Sequence, residues 1–361
     1  VDNVQNLLQK LDCSQVPWLR TAWHEWCEHR AQNRLGHAYL IKAVKGLAVE
    51  VLVRQAAQLQ LCQSPITSEQ GLIACGQCSG CHLFAQNQHP DFYHVKCLED
   101  KKEISIAQIR ELIEKQNQTA HQGGYKVIWI QEVERLSISA FNALLKSLEE
   151  PGANTLFLLT SAQSASLPAT IRSRCQKVMV PQPSLNDSVA WLQSLLPQHD
   201  EAMIKKALRL KWSAPVSAYD WIVQGRFKEE REWQQAINAM ANGQKNLSKV
   251  VSEWMKWSQP EVVFDYFYAW VLAKIRKLGY GLQTIPAGDV LNAQRQMQAW
   301  LGFQQSVSLA KNDWQSNANK ELVFENLLME WIDLIQQEGS NSFGQIPSKS
   351  AFQSNLNRGI F

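Results

Sequence analysis

Lys42-Ala43-Val44-Lys45-Gly46-Leu47-Ala48-Val49-Glu50 is the stretch on which the fold turns. It lies between an apolar, strand-like run at 38–41 and a helix-like run at 49–61. A phosphate-binding loop occupies such a place. Glycines at both ends of its spacing let backbone N–H groups wrap the phosphates, a lysine reaches the β- and γ-phosphates, and a Ser or Thr hydroxyl holds Mg²⁺. Here those places hold Ala43, Ala48, Val49 and Glu50, and only the middle Gly46 remains. Valine cannot donate to a phosphate, and Glu50 would repel one. Taken alone, the segment reads as a plain strand–turn–helix. The chain on either side changes that reading.

Further strand candidates follow at 91–95, 125–130, 155–160 and 176–180, with 37–41 as the first. Helical patterns lie between them. Ser105 and Gln108 form a capping box ahead of Ile106, Ile109, Leu112 and Ile113 at helical spacing. Ser137 is placed to cap a second helix with Ile138, Phe141, Leu144, Leu145 and Leu148 on one face, stopped by Pro151. Strands alternating with helices imply a parallel sheet covered on both sides. Ligands of such sheets sit at the carboxyl ends of the strands, where the loop at 42–50 falls.

Eight cysteines argue for metal or free thiols if the compartment is reducing. Cys13, Cys27, Cys97 and Cys175 are scattered; Cys62, Cys75, Cys78 and Cys81 are clustered. Gly76 and Gly80 allow two tight turns, so three thiolates converge from one short loop and Cys62 supplies a fourth. Four thiolates satisfy tetrahedral Zn²⁺ with no open position, so the expected ion is a structural zinc. An iron–sulfur cluster and a redox pair are the competing readings. His82 and His89 are near enough to ligate but are expected on the surface or, for His89-Pro90, in a turn. No Lys or Arg lies between Cys62 and Cys81, which favours a staple over a nucleic-acid module.

After 180–184, which reads as a linker, strand signals fade. Residues 185–225 suggest a small helical domain and 229–338 a larger bundle. Its stripes include Val262, Val263, Phe267, Val271 and Leu272, and Leu322, Phe324, Leu327, Leu328 and Trp331. Most of the 14 Trp fall after residue 180 at helical spacing, as core residues do. A net charge of +3 is too small to argue for nucleic acid. No apolar run reaches the ~18 residues of a membrane span. Residues 1–8 lack the regions of a signal peptide, so the cytoplasm is the expected compartment.

The run Phe141 to Pro151 (FNALLKSLEEP), followed by Leu167 to Cys175 (LPATIRSRC), resembles the clamp-loader branch of the AAA+ ATPases. The likeness covers about 17–181, and the four-Cys insertion is similar to that of bacterial members. It continues more weakly to Asn319–Leu328 (NKELVFENLL), which resembles the last collar helices. The resemblance implies an α/β AAA+ domain over 1–183 with a zinc insertion at about 62–82. A helical lid at 184–227, an all-α collar at 228–338 and a poorly ordered polar tail at 339–361 would follow. Motor subunits of this family, gamma and tau, end the strand at 125–130 in Asp-Glu; here the pair is Gln131-Glu132. Gln131 is neutral and a poor Mg²⁺ organiser. The motors' sensing arginine is also missing near Ser213 to Val216. The loop, too, departs from the motors' pattern, so ATP is not expected to bind and no intrinsic catalytic activity is expected.

Ser173-Arg174-Cys175 is intact. In this family that arginine reaches a neighbour's γ-phosphate, where a planar, permanent cation stabilises transferring charge. The resemblance therefore implies a non-ATPase stator in the DNA polymerase III clamp loader that supplies Arg174 in trans. Its partners would be the motor subunits and a delta subunit, with the sliding clamp and primer-template DNA met through the complex. Arg172 is the nearby competitor. Rival readings are an ATP-binding motor of the same fold, a zinc protein that binds nucleic acid through a basic helix (Lys205, Lys206, Arg209, Lys211), and a redox protein using Cys75 and Cys78.

Overall fold

The computed structural model describes residues 2–68, 71–98, 101–116, 118–122, 124–163, 167–282, 290–316 and 318–340. The expected tail at 339–361 lies outside them beyond residue 340. Contacts divide the chain into two compact units, Val1–Glu201 with Ser213–Asp220, and Ala202–Trp212 with Trp221–Phe361.

In the first unit, helices α1 (Asp2–Lys10) and α2 (Arg20–Ala31) precede strand β1 (Ala38–Lys42) and helix α3 (Val49–Leu61). The cysteine insertion carries a hairpin, β2 (Ile66–Ser68) and β3 (Gly71–Ile73), and helix α4 (Ser79–Ala85). Then come β4 (Phe92–Val95), α5 (Ile106–Gln116), β5 (Lys126–Ile130), α6 (Ile138–Glu149), β6 (Thr155–Ser161), α7 (Ala169–Arg174), β7 (Gln176–Met179) and α8 (Leu185–Leu195). Five strands form one sheet in the order β4-β5-β6-β1-β7, with every pairing parallel.

The central strands are buried on both faces because they are built mainly of apolar residues, with the polar ones at or near their ends, as an enclosed parallel sheet requires. Ala38, Leu40, Ile128, Ile130, Phe157 and Leu159 share one core with Ile109 and Leu112 of α5 and Leu144 and Leu148 of α6. The alternate residues face the other way, where Tyr39 lies against Trp26 of α2 with ring centroids 4.7 Å apart. The capping box is reciprocal: Gln108 N donates to Ser105 Oγ at 3.4 Å and Ser105 N to Gln108 Oε1 at 3.1 Å. Ser137 Oγ accepts from Ala140 N at 3.3 Å. Ile138 departs from its expected face and is 82% exposed, because it is the first residue of α6.

Helix α9 (Glu201–Leu210) and helix α10 (Pro215–Val223) cross the unit boundary in sequence. The second unit is helical: α11 (Phe227–Ala241), α12 (Leu247–Trp254), α13 (Val262–Leu282), α14 (Val290–Gln315) and α15 (Lys320–Ser340). Its core is aromatic, with Trp254, Phe264, Phe267, Trp300, Phe324 and Trp331 fully buried. Most of the tryptophans there are packing residues, as their spacing implies; Trp212, 46% exposed, is an exception. Leu322, in the first turn of α15, faces solvent instead of joining the stripe. Inside the unit Asp265 meets Lys211 at 2.8 Å and Lys311 at 2.7 Å. Burial alone would push its carboxyl up, but the two ammonium groups hold it below the usual range. Lys206 is likewise paired, with Glu230 at 2.6 Å. Two of the four basic residues near α9 are thus tied into internal ion pairs. Among the described residues no helix is long and apolar enough to cross a membrane.

Candidate functional site

The loop between β1 and α3 carries two residues with left-handed backbone. Gly46 has φ +88° and Ala48, at the N-cap of α3, has φ +56°. Such a left-handed conformation costs an alanine about 1–2 kcal/mol and a glycine little. The space beside Gly46 is taken. A Cβ there would lie 2.3 Å from Ser217 Oγ and 3.1 Å from Ala214 Cβ, and Gly46 O accepts from Val216 N at 3.0 Å. Leu47 O accepts from the buried Trp18 Nε1 at 2.8 Å. The first turn of α10 and one indole therefore hold the loop from either side. Burial pushes the Glu50 carboxyl up from its ordinary range, a shift that Lys45 opposes and Glu132 reinforces.

The residues after β5 are also spoken for. Gln131 Oε1 is 3.0 Å from His94 Nε2, and the His94 ring stacks on Trp129 with centroids 3.9 Å apart. Glu132 meets Lys45 at 3.4 Å and Arg135 at 3.3 Å.

Arg174 sits at the other end of the sheet. Register pairs Tyr39 with Gln176 and Lys42 with Met179. The loop starts just beyond Lys42, at the carboxyl ends of the strands, whereas Arg174 comes two residues before Gln176, at the amino ends. The three steps along β7 from Gln176 to Met179 separate the two levels by about 10 Å at ~3.3 Å per residue. Arg174 Nη1 donates to Thr170 O at 3.0 Å and Nη2 donates to Glu149 Oε1. Ser173 Oγ donates to Thr170 O at 3.0 Å. Cys175 is buried in the sheet core, and that burial pushes its thiol up to about 11. The competitor Arg172 differs: its Nε is buried without a hydrogen-bond partner.

Cys62, Cys75, Cys78 and Cys81 come together, with all four sulfurs within 4.8 Å of one another. Sγ–Sγ separations are 3.5 Å (62–75), 3.9 Å (62–78) and 4.0 Å (75–81). Tetrahedral zinc with Zn–S near 2.3 Å sets sulfurs about 3.8 Å apart, so the cluster fits the ion. Backbone N–H groups point at the sulfurs: Cys75 N to Cys62 Sγ and Cys78 N to Cys75 Sγ at 3.3 Å, and Cys81 N to Cys78 Sγ at 3.4 Å. Burial works against the Cys78 thiolate, yet the N–H of Cys81 helps bring its thiol down to about 6. The four sulfurs could hold a metal ion with no position left for substrate.

A family model described as DNA polymerase III, delta subunit, matches residues 18–184. The delta-prime subunit of DNA polymerase III from Pseudomonas aeruginosa is 32% identical over 330 residues, covering 88% of this chain and 97% of the relative. The chain belongs to the family of DNA polymerase III delta-prime subunits. Its likeness to the delta-prime subunit of Haemophilus influenzae is 38% over 216 residues, and to that of Escherichia coli 36% over 202 residues. Those alignments cover 60% and 56% of this chain, and 64% and 59% of the relatives.

Three residues of this delta-prime chain bear on the site without a clear signal in the sequence. In the sequence Glu149 stands out only as part of a motif and Ser217 not at all, while His89 is expected on the surface or in a turn. His89 is 5% exposed, and its Nδ1 accepts from Asp91 N at 3.1 Å beside the cysteine insertion. The His-Pro dipeptide signalled the turn, but nothing local signalled its burial.

Proposed function

We propose that this chain is a stator of the DNA polymerase III clamp loader: it binds no ATP itself and gives Arg174 to ATP held by a neighbouring motor subunit. The observation that carries the reading is the separation of the two sites. Arg174 stands at the amino ends of the strands and its own loop at the carboxyl ends, so the arginine is out of reach of the loop beside it. Ser217 against Gly46, Val49 in the lysine place and Gln131 in the Mg²⁺-organising place support the loss of nucleotide binding. A motor would need a lysine, a hydroxyl and an acid where this chain has Val49, Glu50 and Gln131.

In this reading residues 1–183 are the AAA+ domain, 184–227 the lid and 228–338 the collar that joins the ring. Cys62, Cys75, Cys78 and Cys81 hold a structural zinc that ties the insertion to the end of α3. The partners are the gamma or tau motors and the delta subunit, with the sliding clamp and primer-template DNA met through the assembly in the cytoplasm.

The test is ATP hydrolysis by reconstituted motor and delta subunits with clamp and primed DNA, adding nothing, the wild-type chain or Arg174→Ala. Arginine fingers are worth roughly 10³–10⁵ in rate in other NTPases. Wild type should stimulate hydrolysis, and an assembled Arg174→Ala should lose the part due to the motor site it faces. Equal stimulation by both would end the finger assignment. Failure of the wild-type chain to assemble would end the clamp-loader assignment.

A further inference from the structure

Arg174 does not stand free in this chain. Its two contacts, to Thr170 O and to the Glu149 carboxylate, fold the guanidinium back along the amino end of the sheet. They differ in kind. Thr170 O is a neutral acceptor four residues back, and a phosphate can approach the same arginine while that bond is kept. Glu149 brings a full negative charge into hydrogen-bond contact with the cation, so an approaching phosphate meets repulsion as well as competition. Glu149 is the last residue of α6, Arg174 the last of α7, and the ion pair joins the two helix ends. The adjacent acid, Glu150, is exposed and has no ion-pair partner among the described residues.

We propose that Glu149 is a positioning residue for the trans arginine: it holds Arg174 against its own chain until a neighbour's triphosphate displaces it. The inference rests on the reading of Arg174 as a finger for a neighbour. The pair is built as a bias and not a lock. Its side chains are 34% and 47% exposed, and exposed pairs shift an equilibrium only about two- to five-fold. A triphosphate offers several charged oxygens to a fork that can bind two of them at once, and so outcompetes one carboxylate. With no triphosphate in register, the carboxylate keeps the arginine, and basal hydrolysis in the assembly is held down.

The test uses the full reconstituted complex and compares Glu149→Gln, Glu150→Gln, Arg174→Ala and the double variant Glu149→Gln/Arg174→Ala. Assembly is checked for each. Glu149→Gln should raise the rate without clamp and DNA by roughly two- to five-fold. The rise should fall on kcat with little change in KM, because a finger acts on the transition state. Glu150→Gln should change nothing, and the rise should vanish in the double variant. If Glu149→Gln does not assemble, Glu149→Asp replaces it, and a smaller rise that also needs Arg174 is expected. An unchanged or lowered rate, with Arg174→Ala still defective, overturns the positioning role and leaves the finger standing. A rise that persists without Arg174 overturns it too. If Arg174→Ala has no effect, the finger reading falls first and this inference falls with it.

Discussion

The two ends of the parallel sheet use their polar groups in opposite ways. At the carboxyl ends they are consumed internally: Gly46 O by Val216 N, Gln131 by His94, and Glu132 by both Lys45 and Arg135. At the amino ends Arg174 uses two of its five N–H donors on its own chain and stays a third exposed. The comparison teaches that availability matters as much as residue type. Lys45 is a lysine in a phosphate-type loop, yet it faces a carboxylate. Arg174 also faces a carboxylate; exposure does not separate the two, since Lys45 is 83% exposed and Arg174 34%, but only Arg174 offers a planar fork able to bind two phosphate oxygens at once.

The largest effect expected is in the cysteine insertion, at the far end of the helix that leaves the loop. Cys62 caps the end of α3, the helix that begins at the loop. Structural zinc contributes about 10–16 kcal/mol in small zinc peptides, so its loss should lower the Tm of this chain by about 10 °C or more. Metal analysis should find one zinc per chain in wild type and none in Cys81→Ser. Equal Tm and equal zinc in the variant would mean that the four sulfurs are not one site. The next effect is smaller. Gly46→Ala places a methyl 2.3 Å from Ser217 Oγ at a backbone φ of +88°, which should cost about 1–3 kcal/mol in urea unfolding. Adding Ser217→Gly should recover part of that cost, because the clash and the backbone penalty are separable in a double-mutant cycle. Full additivity would show that α10 does not press on the loop and would weaken the contrast between the two ends.

Most of the sheet was legible because its strands are enclosed. Runs such as 126–130, buried at every position, can only be strands between helices, and each strand falls within one or two residues of its expected bounds. The caps at Ser105 and Ser137 were legible because their partners are three residues away. The cysteine cluster was legible by spacing. The β2–β3 hairpin was not, since its residues are half-buried or exposed and show no alternation to read. Glu149 with Arg174, and Ser217 with Gly46, were illegible for a different reason. Each pair is made by topology between residues far apart in the chain, and neither partner's local sequence points to the other.

The smallest effect expected is the one that bears hardest on the comparison. Arg174→Ala should change the stability of the isolated chain by no more than about 1 kcal/mol, because the pair it breaks is exposed and screened. Glu149, left alone, returns to water at little cost. Arg174→Lys keeps the charge but not the planar fork. It should match wild type in unfolding to within about 0.5 kcal/mol, yet fail to restore full stimulation of a motor subunit. Chemical denaturation of the three proteins, followed by hydrolysis in the assembled complex, reads both quantities. A loss of about 3 kcal/mol in Arg174→Ala would mean that the arginine stitches α6 to α7, and the amino end would then be as internally spent as the carboxyl end. Near-equal stability with unequal stimulation is the outcome a residue kept for another subunit must give, since its energy is then released outside its own fold.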